Sequence, residues 1–183
     1  MKKKPKIKNK YFLLLDIYSF YYIIFLMRMV VKNDEGKQKN RISIGLLITK
    51  DELNSTIFPD EVKNEIIESP YYLLIFISRE DVIKISCFPT RTKVIKKILI
   101  RLVEFSPDLV KGISNILNEL NLSKDILHTT GICYELENCF YETYLIGDTL
   151  GIGNLTVDSI KEKFMAVSKV VNVTIEDIPI LNE

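Results

Sequence analysis

The order of strand and helix patterns in the second half of the sequence constrains the fold more than any other feature. From Val94 to Glu176 the apolar spacing changes between a strand period and a helix period in the order β-α-β-β-α-β. Strands joined in this order by two helical crossovers form one antiparallel sheet with both helices on one face. The sequence therefore predicts an α+β class and a ferredoxin-like βαββαβ arrangement for residues 93–178.

Turn and cap residues divide this half of the chain into elements. Ser106-Pro107-Asp108 is a strong helix start, because Ser suits the N-cap, Pro the first helical position and Asp the positive end of the helix dipole. The helix is expected to run to about Leu120, with Asn121 as its C-terminal cap. Thr156 or Asp158 caps the second helix. Strands are predicted at 94–105, 126–135, 139–146 and 170–176.

A smaller module of residues 41–92 is expected to precede this domain. Its patterns predict a strand at 41–49, a loop at 50–59, a short helix at 60–68, and a hairpin of strands at 71–78 and 81–88. Val62, Ile66 and Ile67 would form the apolar face of the helix, and Pro89 would end the hairpin. Because about fifty residues bury little surface alone, we expect this β-α-β-β module to extend or cover the sheet of residues 93–178.

Residues 1–40 are predicted to be an N-terminal extension and linker. Six lysines among the first ten residues precede an apolar run at 11–31, whose length suits a membrane span with a cytoplasmic N-terminus. Asp16 would cost about 2.5–3.5 kcal/mol near the centre of such a helix, and Met27 and Met29 offer later translation starts. A membrane anchor, a mis-assigned start and a buried helix all remain open.

Charge and histidine content exclude several kinds of site. The net charge of +1 argues against a nucleic-acid binder that depends on bulk electrostatics. Arg91, Lys93, Lys96 and Lys97 form a basic cluster that a solvated strand edge explains. His128 is the single histidine, and carboxylates do not cluster in loops. We therefore expect no enzyme activity, no catalytic residues, no metal and no cofactor.

The three cysteines do not form a CxxC motif or a zinc-site spacing. Their odd number argues against a disulfide framework and favours a reducing cytoplasm. Cys133 and Cys139 flank the predicted hairpin turn, so both ordinary packing and a redox-sensitive cross-strand pair are open. Gly151-Ile152-Gly153 lacks the third glycine and the Lys-Ser/Thr of a phosphate-binding loop, and is interpreted as a connection to the second helix.

The first strand–helix junction carries a family resemblance. Residues 102–113, with Leu117 and Leu120 along the helix, resemble the ACT domain family of regulatory modules, in which a strand ending in an acidic residue precedes Pro-Gly-Leu-Val and an apolar helix. The resemblance extends over residues 93–178. It implies copies that pair side by side or back to back. It also implies an amino acid or similar small effector bound at their interface, near the strand–helix loop.

The resemblance places the effector site at one loop, where backbone N–H groups of a helix start suit a carboxylate. Its residues are Phe105, Ser106, Pro107, Asp108, Leu109 and Val110. Two of them depart from the family pattern, because Asp108 replaces the loop glycine and Phe105 the acidic residue. The Asp108 carboxylate either caps its own helix or repels an incoming carboxylate.

The sequence thus predicts a non-enzymatic regulatory protein that forms a homodimer or higher oligomer and binds a small effector such as an amino acid. The alternative is a protein-interaction module without a small ligand. A cytoplasmic location is expected for both, and a membrane anchor through residues 11–31 remains open for either. No nucleic-acid partner is expected, and residues 179–183 are a tail.

Overall fold

The chain is an α+β protein with two antiparallel sheets in its computed structural model. The structure describes residues 42–54, 58–79, 82–134, 138–148, 150 and 156–181. The N-terminal extension with its apolar run, and Gly151-Ile152-Gly153, lie outside these residues. None of the described helices is both long and apolar enough to cross a membrane.

Two compact units divide the chain, and the larger one contains both sheets. The larger unit comprises residues 42–48 and 69–183, and the smaller one includes residues 49–68. The strands are β1 (Ile44–Thr49), β2 (Tyr71–Arg79), β3 (Val82–Thr90), β4 (Ile95–Leu102), β5 (Ile126–Tyr134), β6 (Asn138–Ile146) and β7 (Val170–Asp177). The helices are α1 (Lys50–Asn54), α2 (Asp60–Glu65), α3 (Pro107–Glu119) and α4 (Val157–Met165). One sheet has the strand order β1-β2-β3 and the other β5-β6-β4-β7.

Both long helices begin at the caps that the sequence indicates. The Ser106 side chain accepts a hydrogen bond from the Leu109 N–H, and the Thr156 side chain accepts one from the Ser159 N–H. Thr156, rather than Asp158, is therefore the cap of α4. Asn121 follows α3 with a φ of 56°, the left-handed conformation that ends many helices.

The four-stranded sheet buries one face against α3 and α4. Alternate residues of its strands meet the apolar stripes of the two helices, so every contributor comes from the same side of the sheet. The main members of this helix-side core are Ile98, Ile100, Leu102, Tyr141, Leu145 and Val173 from the sheet, and Leu109, Ile113, Leu117, Ile160 and Phe164 from the helices.

The three-stranded sheet covers the other face of the four-stranded sheet. The sheet-side core between them contains Leu47, Leu73, Ile75, Ile77, Ile95, Tyr144 and Ile178. The two sheets approach closely at Gly45, where an added Cβ would lie 2.5 Å from Cε1 of the buried Tyr144 ring. The expectation that the first strands cover the later sheet is met by β1, β2 and β3, and the four-stranded sheet is therefore buried on both faces.

The smaller unit differs from its predicted structure. The predicted loop at 50–59 begins with α1, which starts at a capping box: the Glu52 carboxylate accepts from the Thr49 N–H at 2.7 Å, and the Glu52 N–H donates to Thr49 Oγ1 at 3.3 Å. The predicted apolar face of α2 is wrong, because Val62 is 45% and Ile67 74% exposed. Two turns with three apolar residues are too short for periodicity to identify a buried face.

Strand ends also differ from their predictions. Pro89 does not end β3, which continues to Thr90, because β3 lies at the edge of its sheet and an edge strand tolerates a missing N–H. The strand predicted at 94–105 ends at Leu102, where the pairing register with β7 shifts. Val171 is exposed beside this irregularity, whereas Val173 is buried.

Candidate functional site

The strand–helix loop that the sequence predicts as a ligand site forms the start of α3. Ser106 caps the helix, Pro107 is its first residue and Asp108 is exposed in its first turn. Leu109 is buried in the helix-side core and Val110 is half-buried. Solvent therefore reaches the loop through Phe105, Pro107 and Asp108, whereas Leu109 holds it against the sheet.

Phe105 connects this loop to β5. Its ring lies over Gly131, and a Cβ added at residue 131 would overlap the ring. Glycine at this position therefore permits a close approach of an aromatic ring to the strand backbone. Phe105 remains 41% exposed, so one side of the ring contacts β5 and the other faces solvent.

The β5 strand is an edge of the four-stranded sheet and carries no charged residue. Its nine residues, from Ile126 to Tyr134, also lack proline. Edge strands of monomeric proteins are usually protected by charges, proline or bulges against pairing with another chain. The other edge, β7, ends in the acidic residues Glu176 and Asp177, and the β3 edge contains Lys84 and Pro89. Of the two edges of the four-stranded sheet, β5 therefore has fewer protecting charges than β7, and its pairing with β6 shifts register between Ile126 and His128.

Cys133 and Cys139 form a disulfide between β5 and β6. The two residues are directly opposite in the register of the strand pair. Cys133 is exposed and Cys139 is buried at the end of the helix-side core. The alternative of ordinary packing is therefore wrong for this pair, while Cys87 on β3 remains a free thiol.

A polar cluster lies buried between the two sheets. Lys97 Nζ lies 2.8 Å from Glu142 Oε2 and donates to the backbone oxygen of Ser43, also at 2.8 Å. The Ser43 hydroxyl donates to the other Glu142 oxygen and lies 2.8 Å from the Tyr144 hydroxyl. The side chains of Lys97 and Glu142 are 3% and 0% exposed, while Glu176 on β7 reaches Lys97 from the surface at 3.6 Å.

This arrangement corrects the interpretation of the basic cluster as a solvated strand edge. β4 is an inner strand, Lys97 is buried, and Lys96 pairs with Asp177 at 2.5 Å. Adjacent residues of a strand point to opposite faces. Two consecutive lysines on a strand covered on both sides therefore require a buried partner for at least one of them. Glu142 is the only acidic residue of β6, so the sequence did offer a candidate for this buried partner.

His128 lies beside this cluster on β5. Its ring centroid is 5.5 Å from that of Phe88 and 6.5 Å from that of Tyr144. Its Nε2 atom is buried and has no hydrogen-bond partner among the described residues. Burial lowers the pKa of His128, the nearby Lys84 lowers it further, and the Glu142 carboxylate opposes both. Neutral His128 is therefore the form that this position favours.

The cluster holds two buried, opposite charges that neutralise each other. Lys97 also lies over the Tyr144 ring, 5.5 Å from its centroid. The polar contacts described above join Ser43, which directly precedes β1, to residues of β4, β6 and β7. The arrangement links the chain just before β1 to β4 and β6 of the other sheet, so we assign the cluster a structural role.

The Lys97→Met variant is expected to lose about 3–5 kcal/mol of unfolding free energy, because it leaves Glu142 charged and buried without its partner. A double variant, Lys97→Met with Glu142→Met, should be more stable than the single one. Urea unfolding of the unsubstituted chain, of the single variants Lys97→Met and Glu142→Met, and of the double variant measures these losses. Additive losses from the two substitutions would contradict a coupled pair.

Acid is expected to destabilise the native state through His128. Its native pKa is lower than the unfolded value near 6.5. Above that value neither state binds the proton, and the full stability is present; below it the unfolded state binds the proton first, and stability falls. Urea unfolding at pH 7.5 and pH 5.5 should show a smaller acid loss for His128→Phe than for the unsubstituted chain. Equal losses would contradict this role.

No protein-family model matches this sequence, and a search of the curated proteins finds no similar one. Among the described residues, no group of histidine, cysteine and acidic side chains could hold a metal ion. We therefore infer function from the contacts and exposed surfaces of the chain itself.

Proposed function

We propose that this chain is a regulatory protein whose residues 93–178 form a ferredoxin-like domain similar to the ACT family. The strand order β5-β6-β4-β7 is the observation that carries the proposal. Numbered within the domain, this order is 2-3-1-4, with the first and third strands at the centre and both helices on one face. An identical order serves many functions, so surface features have to support the regulatory role.

The covered sheet restricts how two copies could associate. Domains of the ACT family pair side by side or back to back. Here β1, β2 and β3 occupy one face of the four-stranded sheet, and α3 and α4 occupy the other. The edges of the sheet then remain for pairing, which favours the side-by-side mode.

The β5 edge is the better candidate of the two. Glu176 and Asp177 of β7 already pair with Lys97 and Lys96 of the same chain. If two copies paired through β7, the acidic residues of one copy would lie near the same acidic residues of the other. A two-fold pairing of β5 opposes only uncharged residues, among them the exposed Thr129. Backbone hydrogen bonds would join two such strands without like-charge repulsion.

Pairing through β5 would also bring the predicted effector loop to the interface. Phe105 rests on Gly131, the central part of β5, and Asp108 is exposed one turn away. An amino acid carries both a carboxylate and an ammonium group. The helix start suits the first, and the Asp108 carboxylate suits the second. In this proposal Asp108 contributes to binding instead of excluding the ligand.

The Thr129→Lys variant is expected to convert a homodimer to a monomer, because it places a charge on each β5 edge where two copies meet. Sedimentation equilibrium of the full chain measures the molecular mass. Thr174→Lys is the matched control, since Thr174 is also an exposed threonine on an edge strand, β7. A chain that is monomeric without any substitution, or one dissociated only by Thr174→Lys, would contradict pairing through β5.

One member of a panel of amino acids is expected to stabilise the dimer. A ligand that binds only the native state, at 100 times its dissociation constant, adds about 2.7 kcal/mol to the unfolding free energy. Asp108→Asn should weaken this shift, and thermal unfolding of the full chain with each amino acid measures it. Nucleotides, whose chemistry differs from that of amino acids, are the control ligands in the same measurement.

Asp158→Asn is the control for this experiment. Asp158 is exposed at the second position of α4 after a Thr cap, as Asp108 is at the second position of α3 after a Ser cap. Both substitutions remove the same helix-dipole interaction, and Asp158→Asn also removes an exposed ion pair with Lys161 at 4.0 Å. These losses change the stability of the ligand-free chain, so the ligand-induced shift of each variant is compared with that variant's own ligand-free value. Equal effects would contradict a ligand role of Asp108.

A protein-interaction module without a small ligand is the second candidate. The uncharged β5 edge supports this function as well, because it requires only strand pairing. A dimer that dissociates with Thr129→Lys but shows no stabilisation by any ligand would favour this candidate over effector binding.

A further inference from the structure

The Cys133–Cys139 disulfide joins two strands that other interactions already hold together. Backbone pairing between β5 and β6 extends from Ile126 to Tyr134, and the two cysteines are opposite each other within it. The pairing does not need the sulfur–sulfur bond, since the strand ladder and the helix-side core remain without it. The two sulfur atoms would therefore stay adjacent after reduction, ready to form the bond again.

The two sulfur atoms differ in access to solvent. Cys133 is exposed on the edge strand, whereas Cys139 is only 2% exposed. Thiol–disulfide exchange begins with attack of a thiolate on one sulfur of the disulfide, and access helps to decide which sulfur is attacked. An external thiolate can reach Cys133, while the protein shields Cys139.

We propose that Cys133–Cys139 is a reversible thiol–disulfide site, in which Cys133 forms a mixed disulfide with a small thiol and Cys139 resolves it. The proposal depends on the opposed register and unequal exposure of the pair, and is independent of effector binding. Cys87 does not belong to the site. It lies on β3, and burial raises the pKa of its thiol, which reduces its reactive thiolate fraction.

The exchange balances with a small thiol as the reductant. Its thiolate attacks Cys133 Sγ, the bond between the two Sγ atoms breaks, and the electron pair remains on Cys139 Sγ, which takes up a proton. A second molecule of the thiol attacks the small-molecule sulfur of the mixed disulfide and releases Cys133 as a thiolate. The protein gains two electrons, and two small thiols become one disulfide.

Formation of the Cys133–Cys139 disulfide from the two thiols follows the reverse sequence of steps. The small disulfide exchanges with the Cys133 thiolate and leaves one of its halves on Cys133. The Cys139 thiolate then attacks Cys133 Sγ and expels the small thiolate, which restores the bond between the strands. Removal of Cys139 would stop the sequence at the mixed disulfide.

Oxidised glutathione is the probe for this site. After reduction, the full-length Cys139→Ala variant should retain one glutathione on Cys133, whereas Cys133→Ala should acquire it on Cys139 about tenfold more slowly or not at all, because Cys139 is shielded. Intact mass with peptide mapping locates the adduct and separates it from any on Cys87. Equal rates at the two cysteines, or no stable adduct in Cys139→Ala, would overturn the proposal.

The unsubstituted chain provides an independent measurement. In mixtures of reduced and oxidised glutathione, it should interconvert between the disulfide and dithiol forms, with the same circular dichroism spectrum in both. Acid quenching followed by alkylation should locate the trapped glutathione on Cys133. Loss of structure on reduction, or glutathione trapped on Cys139, would overturn the assignment even if neither alanine variant folds.

Discussion

Burial of the four-stranded sheet on both faces is the constraint on which the rest of the structure depends. Helices α3 and α4 cover one face, and the sheet of β1, β2 and β3 covers the other. Most residues of the inner strands β4 and β6 are then shielded from water on whichever face they lie, with Arg101 as an exposed exception. Lys97 cannot reach solvent from its position on β4, so its charge is matched by Glu142 within the protein.

The same burial leaves the strand edges as the accessible part of the four-stranded sheet. Charged residues of β7 pair with lysines of β4, whereas β5 has no charge along its length. Phe105, Gly131 and Cys133 all lie on or against this uncharged strand. The β5 edge thus combines the surface proposed for pairing with a disulfide that is open to small thiols. Association and redox state would therefore act on the same strand.

Much of the fold could be predicted from local sequence. Ser106-Pro107-Asp108 identifies the start of α3 because capping depends on neighbouring residues only, and the apolar stripe of α3 identifies the residues that reach the core. The loop of the proposed effector site, residues 105–110, contains this cap and was identified from the same local pattern. The polar cluster could not be predicted in this way, because Ser43 and Glu142 are 99 residues apart and meet only after the two sheets pack.

The sequence by itself determined the order of strands and helices in residues 93–178, the cap of α3 and the α+β class, because these depend on periodicity and on interactions between residues close in the chain. The tertiary structure decided which strands became inner strands and which became edges. The position of each strand in its sheet explains why Lys97 is buried, why β3 can include Pro89 and why Val171 is exposed. The tertiary structure also placed Cys133 opposite Cys139. A side chain has the same chemistry in each environment, but its exposure and its partners depend on strands that lie far apart in the sequence.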